Sequence, residues 1–590
     1  MKKYLRKGWH ILRDCHLFIY QGFKEKLLKE YLNILLFSLS THLNKFHFNL
    51  HSMTMDKHKQ YHTLQKRIKG LHSLLPYSHE YVYSILIDIE NPSPKLLHSC
   101  LSSACRQTPP SFEILLGHRS TLSPEVSKTI QDIKSQYPEK IRLFNFSDTP
   151  LNSDQARPIY NLLAEEARGN YFFFLEKEDW IRPDLLYRYE QFLRTTSTPD
   201  QMVVNCHEDQ ISELDHFIPG SSQKKAPLHF PYIFHPTSAL RSTLIPKTMW
   251  NKTQGLRKEF SGVQESDLIL GLDLAGASFT TIPVCLYSRR KDSKDKTKKD
   301  TNKQSDLSVF MLSLKEYSIG KNLNWTFEPG YRKDAVRAVP QNLEPHKIQI
   351  ITPFKEQKDL TLRCVDSVMK QKGIDFKITA IDNGSEDLSI GRAISELGGE
   401  VLRIEEPFNY SRLNNLAVAN AKMAHDCDLI LFLNNDVELD EEAVLEMMRW
   451  IDQPAIGVVG ARLHYPNGKL QHGGVRLDKD FLPGQYMWDH PEKFRTFDQM
   501  NETKILGVVE AVTAACILIK KEHFLSVGGF DEIWYPIAFS DTSLAVKLNK
   551  IGLKSFYTPY AFGVHHESIS RKESLEDVDS SRWLHELILK

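Results

Sequence analysis

The chain has 590 residues, 41% of them hydrophobic and 25% charged, with a formal net charge of +1. That length exceeds what one hydrophobic core serves, so two or three domains are expected, and the balanced charge gives no basis for a nucleic-acid binder. The 8 cysteines are scattered without a C-x-x-C pair. This reads as reduced, mostly buried thiols of a cytosolic protein rather than a disulfide framework or a zinc site.

Residues 1–78 form a basic region with Lys2, Lys3, Arg6, Lys7 and Arg13 among Trp9, Leu12, Leu17, Phe18, Ile19, Leu27 and Leu28. No apolar run approaches the ~20 residues that span a bilayer, and no signal-peptide core follows the basic start. A helical extension is expected here. Two readings stay open: an amphipathic helix held to anionic lipid on the inner face of the cytoplasmic membrane, and helices packed on the first domain. Either way the expected location is cytoplasmic.

Residues 79–289 read as a first α/β domain. The run RRKDSKDKTKKDTNKQS at 289–305 is polar and charged, as expected of a solvated linker. A short helix is predicted over 306–320, and Pro329, Pro340 and Pro345 follow. Together 290–345 are a connector. Residues 346–575 read as a second domain and 576–590 as a tail.

The two halves resemble copies of each other. SILIDIENPSPKLLHSCLSSACRQ, from Ser84, aligns without a gap on IQIITPFKEQKDLTLRCVDSVMKQ, from Ile348. Cys100 then falls on Cys364, Ser103 on Ser367, Gln107 on Gln371 and Phe112 on Phe376. FFFLEKED (172–179) matches LILFLNNDV (429–437), and ESDLILGLDLAG (265–276) matches DTSLAVKLNKIG (541–552).

In the second half, a strand is predicted at Ile348–Pro353, a helix over 358–371 and a strand at Phe376–Ile381 ending in the turn Asp382-Asn383-Gly384-Ser385. A helix over 409–424 and a buried strand at Leu429–Leu433 follow. The order β-α-β-α-β implies a mainly parallel sheet, whose ligands bind beyond the carboxyl ends of its strands. Thr352-Pro353, Asp382-Asn383 and Asn434-Asn435-Asp436 sit there.

Three motifs carry candidate chemistry. LILFLNNDVEL delivers Asn434 and Asp436 at a strand end, where oxygen ligands can hold Mg²⁺ or Mn²⁺. The same residues could equally form an Asx turn and cap a helix over 440–450. FSDTSLAVKLNKIG places Asp541 at a helix start, as a functional carboxylate or simply a cap. GVHHESISR offers His565 and His566, of which at most one is expected to ligate, because neighbours point in different directions.

The second half resembles the inverting, family 2 nucleotide-sugar glycosyltransferases of the GT-A fold, in particular their bacterial O-antigen and rhamnosyltransferase-like branch. IITPFKE, AIDNGSED, PFNYSRLNNLAVANA, LFLNNDVEL, GVVGARLHYPNGKLQHGGV, AVTAACILIKKEHFLSVGGFDE, AFSDTSLAVKLNKIG and YTPYAFGVHHESISR carry the likeness in order. NCHEDQIS, GVQESDLILGL and WTFEPGYRKDAVRAV extend it to that branch's tandem architecture, over about 80–575. The resemblance implies two tandem GT-A domains. It makes Asp541 the catalytic base, and Asn434, Asp436 and His565 the holders of Mg²⁺ or Mn²⁺. Thr352, Pro353, Asp382, Asn383, Arg412, Asn415 and Asn435 are placed on the donor, with Asp382 and Asn383 at the base. His472 is an acceptor-side candidate or a packing histidine. Relatives carry a second acid two residues after the base, where this chain has Ser543.

The implied reaction moves a hexosyl or rhamnosyl unit from a nucleoside diphosphate sugar to a cell-envelope glycan or lipid-linked acceptor. In the first half, His118 and Arg119 replace Asp382 and Asn383, Glu176 and Glu178 replace Asn434 and Asp436, Glu265 replaces Asp541, and Arg289 replaces His565. A permanent cation cannot ligate a metal, so a degenerate first domain is favoured over a second active site. Of the other classes, a sugar nucleotidyltransferase needs a glycine-rich phosphate loop that TPFKEQKD lacks. A glycan-binding scaffold would not need Asp436, Asp541 and His565.

Overall fold

A computed structural model describes residues 82–108, 111–147, 158–218, 240–291, 303–478 and 487–566. The basic N-terminal region, the core of the charged linker, the residues after His566 and the C-terminal tail lie outside the described residues.

The first unit runs β1 (Tyr83–Asp88), α1 (Pro94–Cys105), β2 (Phe112–His118), α2 (Pro124–Gln136), β3 (Ile141–Asn145), α3 (Ile159–Glu166) and β4 (Tyr171–Phe174). It continues with β5 (Trp180–Ile181), α4 (Leu185–Leu193), β6 (Met202–Ile211), β7 (Leu244–Pro246), α5 (Gln264–Leu274) and β8 (Ser278–Arg290). The sheet order is β3-β2-β1-β4-β7-β6-β8-β5. Neighbours among β3, β2, β1 and β4 are parallel, and β7 enters antiparallel.

Helix α6 (Lys303–Gly320) and the hairpin β9 (Trp325–Pro329) and β10 (Val336–Pro340) form the connector. The second unit then has β11 (Lys347–Phe354), α7 (Lys358–Met369), β12 (Asp375–Asp382), α8 (Ser389–Glu396), β13 (Glu400–Arg403), α9 (Tyr410–Asn420) and β14 (Leu429–Leu433). After these come β15 (Val437–Leu439), α10 (Ala443–Ile451), β16 (Ile456–His464), β17 (Leu470–His472) and the paired β18 (Arg476–Asp478) and β19 (Met487–Asp489). The unit closes with β20 (Gly507–Val509), β21 (Cys516–Lys520), α11 (Ser540–Lys550) and β22 (Lys554–His565). Its main sheet order, β13-β12-β11-β14-β21-β16-β22-β15, repeats the first unit strand for strand.

Strand alternation explains the layering. Leu429, Leu431 and Leu433 face one core with Val365, Ile390 and Trp450, whereas Ile430 and Phe432 face the other with Leu413 and Leu544. Residues two apart share a face of a strand, so a continuous apolar run serves helices on both sides. Each such side chain contributes about 1.5–3 kcal/mol on full burial.

The duplication extends to single bonds. The thiols of Cys100 and Cys364 each donate at 3.4 Å to a carbonyl at the end of the central strand, Glu176 and Asn434 respectively. Gln107 and Gln371 each donate across to the segment before α4 or α10, to Arg182 O at 2.7 Å and Asp440 O at 2.6 Å. The unlike residues that align in the sequence therefore tie helix to sheet in the same way in both units.

The connector is less loose than its composition implies. Leu307, Phe310, Leu314 and Tyr317 of α6 complete a core of the first unit, while Phe327 packs against cores of both units. Trp325 meets Trp450 edge-on at 5.4 Å, and Arg337 pairs with the buried Glu446. Among the described residues no helix is long and apolar enough to cross a membrane.

Candidate active site

Strands β12, β11 and β14 are neighbours and parallel, so Asp382, the end of β11 just past Thr352-Pro353, and Asn434 lie along one edge of the sheet. The chain turns sharply at the end of β14. The Asn434 amide donates to Ala515 O at 3.0 Å, and the Val437 amide donates back to Asn434 O at 3.1 Å. Helix α10 starts only at Ala443, so Asp436 is not its cap. Asn435 instead reaches α7, where its Nδ2 donates to Thr361 Oγ1 at 2.9 Å.

Pairing of β15 with β22 sets Val437 opposite His565. This brings His565 Nε2 to 3.1 Å from Asp436 Oδ1, with both residues buried. His566 turns the other way, toward Glu438 Oε1 at 2.6 Å. Behind His565, Gln471 Oε1 lies 2.9 Å from Nδ1. A carbonyl oxygen only accepts, so Nδ1 holds a proton and Nε2 is the nitrogen that faces the carboxylate. A contact of 3.1 Å between Nε2 and Oδ1 has a proton or a cation between the two atoms.

That arrangement fits a divalent ion. Ligand atoms each ~2.0–2.2 Å from one ion lie roughly 3 Å apart, and a bound histidine commonly donates its other N–H to an oxygen. Among the described residues no three His, Cys, Asp or Glu side chains converge. Asn434 lines the same cleft as His565.

Asp541 lines this cleft as well, together with His472, His490, Lys493 and Tyr410, around a space of about 410 Å³. Helix α11 presents it: Phe539, at its N-cap, takes a left-handed φ of 58°. One Asp541 oxygen accepts from Ala514 N at 3.2 Å and the other from Thr542 N at 2.7 Å. Ser543 donates to Ser540 O at 3.0 Å within its own helix.

The expected donor residues divide. Asn383 and the neighbouring Gly384 and Ser385 line a second, open hollow of about 450 Å³ with Lys355, Arg403 and Glu405. The Asp382 carboxylate accepts from Ser385 N at 2.7 Å and Arg403 Nη1 at 2.5 Å. Both Asn383 amide hydrogens go to backbone oxygens, of Ile404 and Glu406, at 2.9 Å. Thr352 and Pro353 are buried within β11. Arg412 pairs with Glu406 and Glu532. Asn415 clamps the loop after Gly529: its amide donates to Phe530 O and Glu532, and its oxygen accepts from Phe530 N. Gly529 has a φ of 67°, and a Cβ there would lie 2.7 Å from that oxygen, so the turn requires glycine.

His472 is 1% exposed. Its Nε2 accepts from the amides of Gly474 and Thr513, each at 3.3 Å. Burial, with His490, His565 and Lys493 nearby, pushes its imidazole well below the usual histidine range.

The first unit keeps the frame and changes the chemistry. Leu240 N donates to Glu265 at 3.0 Å, as Ala514 N does to Asp541. Glu178 instead accepts from Ser93 N at the start of α1, and Lys177 binds Glu90 O. Arg241 takes the place of Ala515, with Nε 3.7 Å from Asp179 Oδ2 and Glu176 and Glu265 close by. Burial pushes the Glu176 carboxyl up to about 7, countered by Arg241. The register that sets His565 opposite Val437 sets Arg289 in its place here.

Sequence reasoning passed over Gln471, His490 and Lys493. Gln471 lay in view within KLQHGGV, but its partner depends on β17 pairing with β16 beside β22, which no local pattern announces.

Residues 349–524 match the model of the family described as Glycosyl transferase family 2. The O-antigen biosynthesis protein RfbC of Myxococcus xanthus is 28% identical over 523 residues, which are 85% of this chain and 38% of that protein. An uncharacterized protein of Sinorhizobium fredii is 28% identical over 83% of this chain and 53% of its own length. The N-acetylglucosaminyl-diphospho-decaprenol L-rhamnosyltransferase of Mycobacterium tuberculosis is 24% identical over 32% of this chain and 66% of its own. The chain thus spans about half or less of the two longer relatives.

Proposed function

We propose that the second unit, whose residues 349–524 match the model of glycosyl transferase family 2, transfers a sugar from a nucleoside diphosphate sugar to a hydroxyl of a cell-envelope glycan or lipid-linked acceptor. The observation that carries this reading is the shared cleft of Asp541, Asn434 and His565, with Asp436 set against His565 at 3.1 Å. A proton acceptor and a cation-holding pair then stand side by side.

Asp541 takes the proton of the acceptor hydroxyl as its oxygen forms a bond to the anomeric carbon. The bond from that carbon to the diphosphate breaks in the same displacement, so the configuration inverts. The Ala514 amide holds the carboxylate on α11 in place for this. Asn434, Asp436 and His565 would hold Mg²⁺ or Mn²⁺, which supplies charge neutralisation for the leaving diphosphate. Asp382 and the hollow beside Asn383 receive the base; the buried Thr352 and Pro353 contribute backbone shape, and Arg412 and Asn415 set the loop at Phe530–Glu532.

The first unit serves as a non-catalytic support in this reading. Arg241 provides a built-in cation among Glu176, Glu265 and Asp179, and Glu178 is drawn off to α1. The names of the relatives favour an O-antigen or rhamnosyl-type product.

The test is a donor screen with the full-length protein and Mn²⁺ or Mg²⁺, using UDP-, dTDP- and GDP-sugars and following release of the nucleoside diphosphate and labelled glycan. Metal-dependent turnover of one donor supports the proposal. Binding of glycans without turnover of any donor would support a scaffold instead.

A further inference from the structure

The amide that holds Asp541 belongs to a short segment just ahead of β21, in which Ala514 and Ala515 are buried. Consecutive peptide units of this segment go to different parts of the fold. The unit joining Thr513 to Ala514 carries the N–H that Asp541 accepts at 3.2 Å. The unit before it donates its N–H, that of Thr513, to His472 Nε2 at 3.3 Å. The unit after it offers Ala514 O, which accepts from Tyr410 Oη at 2.9 Å. Next along the chain, Ala515 O accepts from Asn434 N at 3.0 Å.

Peptide units are planar, and the chain turns only at the two soft dihedrals of each residue between them. Fixing the units on both sides of the one that faces Asp541 therefore fixes the direction of its N–H. Both holders suit that task. Tyr410 opens α9, and burial, with the Asp541 carboxylate nearby, holds its phenol above the ordinary range. The phenol thus keeps the single proton that it directs at Ala514 O, although the side chain lines the cleft. His472 comes from β17 and also accepts from Gly474 N on the same Nε2, so this nitrogen carries no proton and serves only as an acceptor.

We propose that Tyr410 and His472 are positioning residues for Asp541, acting on the transfer step through residues 513–515 and not through the substrate. Because Ala515 O also holds Asn434, the same segment ties the base to the turn that carries Asp436. The inference rests on the glycosyl-transfer reading of the cleft.

The test uses the full-length protein and a donor that wild type turns over. On the same samples, kcat and KM are measured for donor and acceptor, the affinities for Mn²⁺ and the nucleoside diphosphate by calorimetry, and Tm by thermal unfolding. Tyr410→Phe keeps the ring and deletes only the hydroxyl. Small misplacements of a reacting group cost up to ~10²-fold in rate, so kcat should fall about tenfold. KM and both affinities should stay within about twofold of wild type, because ground-state binding is untouched. His472→Leu should show the same split, and His472→Gln, whose Oε1 can accept the Thr513 hydrogen, should restore most of the rate. A wild-type kcat for Tyr410→Phe overturns the proposal. A loss confined to KM or nucleoside diphosphate affinity also overturns it, since it would put the phenol on the substrate. So does a His472→Leu defect that His472→Gln leaves unrepaired and that follows a lower Tm. If the wild-type protein turns over no nucleoside diphosphate sugar, the transfer reading falls and this inference with it; unaffected variants of a working enzyme sink only this inference.

Discussion

Gln471 Oε1 stands 2.9 Å from Nδ1 of His565, and so decides which nitrogen of that ring faces Asp436. A strand that contributes nothing to the reacting atoms thereby sets the proton inventory of the site. Removing such a partner costs metalloproteins roughly 10–100-fold in metal affinity. Gln471→Leu should weaken Mn²⁺ binding by that factor, as followed by the paramagnetic resonance of free Mn²⁺. Affinity equal to wild type would mean that the ring needs no such anchor.

The first unit makes a separate prediction. If Glu265 is only a retained frame contact, Glu265→Gln leaves the rate and the product of transfer unchanged, because its neutral oxygen can still accept from Leu240 N. Disappearance of a second glycan product in this variant, seen by mass spectrometry, would reveal a working first site.

Glu176 should make stability depend on pH. Folding raises its pKa from 4.5 to about 7, so the folded state binds more protons between those values. Stability therefore falls as pH rises through that window and levels off above it. Glu176→Gln should flatten the slope and gain on the order of 2–3 kcal/mol over wild type above pH 7. Denaturant midpoints at about pH 5 and pH 8 measure this; parallel wild-type and variant curves would show that Arg241 already compensates the charge.

Much of this architecture is written in local pattern. The apolar runs at Ile348–Pro353 and Leu429–Leu433 are strands within a residue or two of their predicted bounds, because full burial leaves no other use for them. The pairing of Cys100 with Cys364 and Gln107 with Gln371 was legible because each performs a fixed, buried task. The helix expected over 409–424 ends at Asn420; the lysine and methionine after it give their amides to Glu400 instead. The connector looked loose because charge dominates 289–305, while the side chains that seat α6 on the first unit lie beyond that run.

The site was legible as residue types and illegible as contacts. Asp436, His565 and Asp541 announce themselves by chemistry at element ends. Asn435 and Asn415 looked alike in kind, yet each spends its amide on the protein, because Thr361 and the Phe530–Glu532 loop stand within reach only after folding. In the first unit, Arg241 was invisible as the central cation, since its position is set by β7 entering antiparallel beside β4.

The most direct measurement compares wild type with Asp541→Asn in the full-length protein, using a donor that wild type turns over. Nucleoside diphosphate sugar binding and single-turnover transfer are followed on the same samples. The account predicts that the variant binds donor as wild type does and transfers no detectable sugar, because the amide cannot take the acceptor's proton. Transfer by Asp541→Asn at the wild-type rate would contradict it.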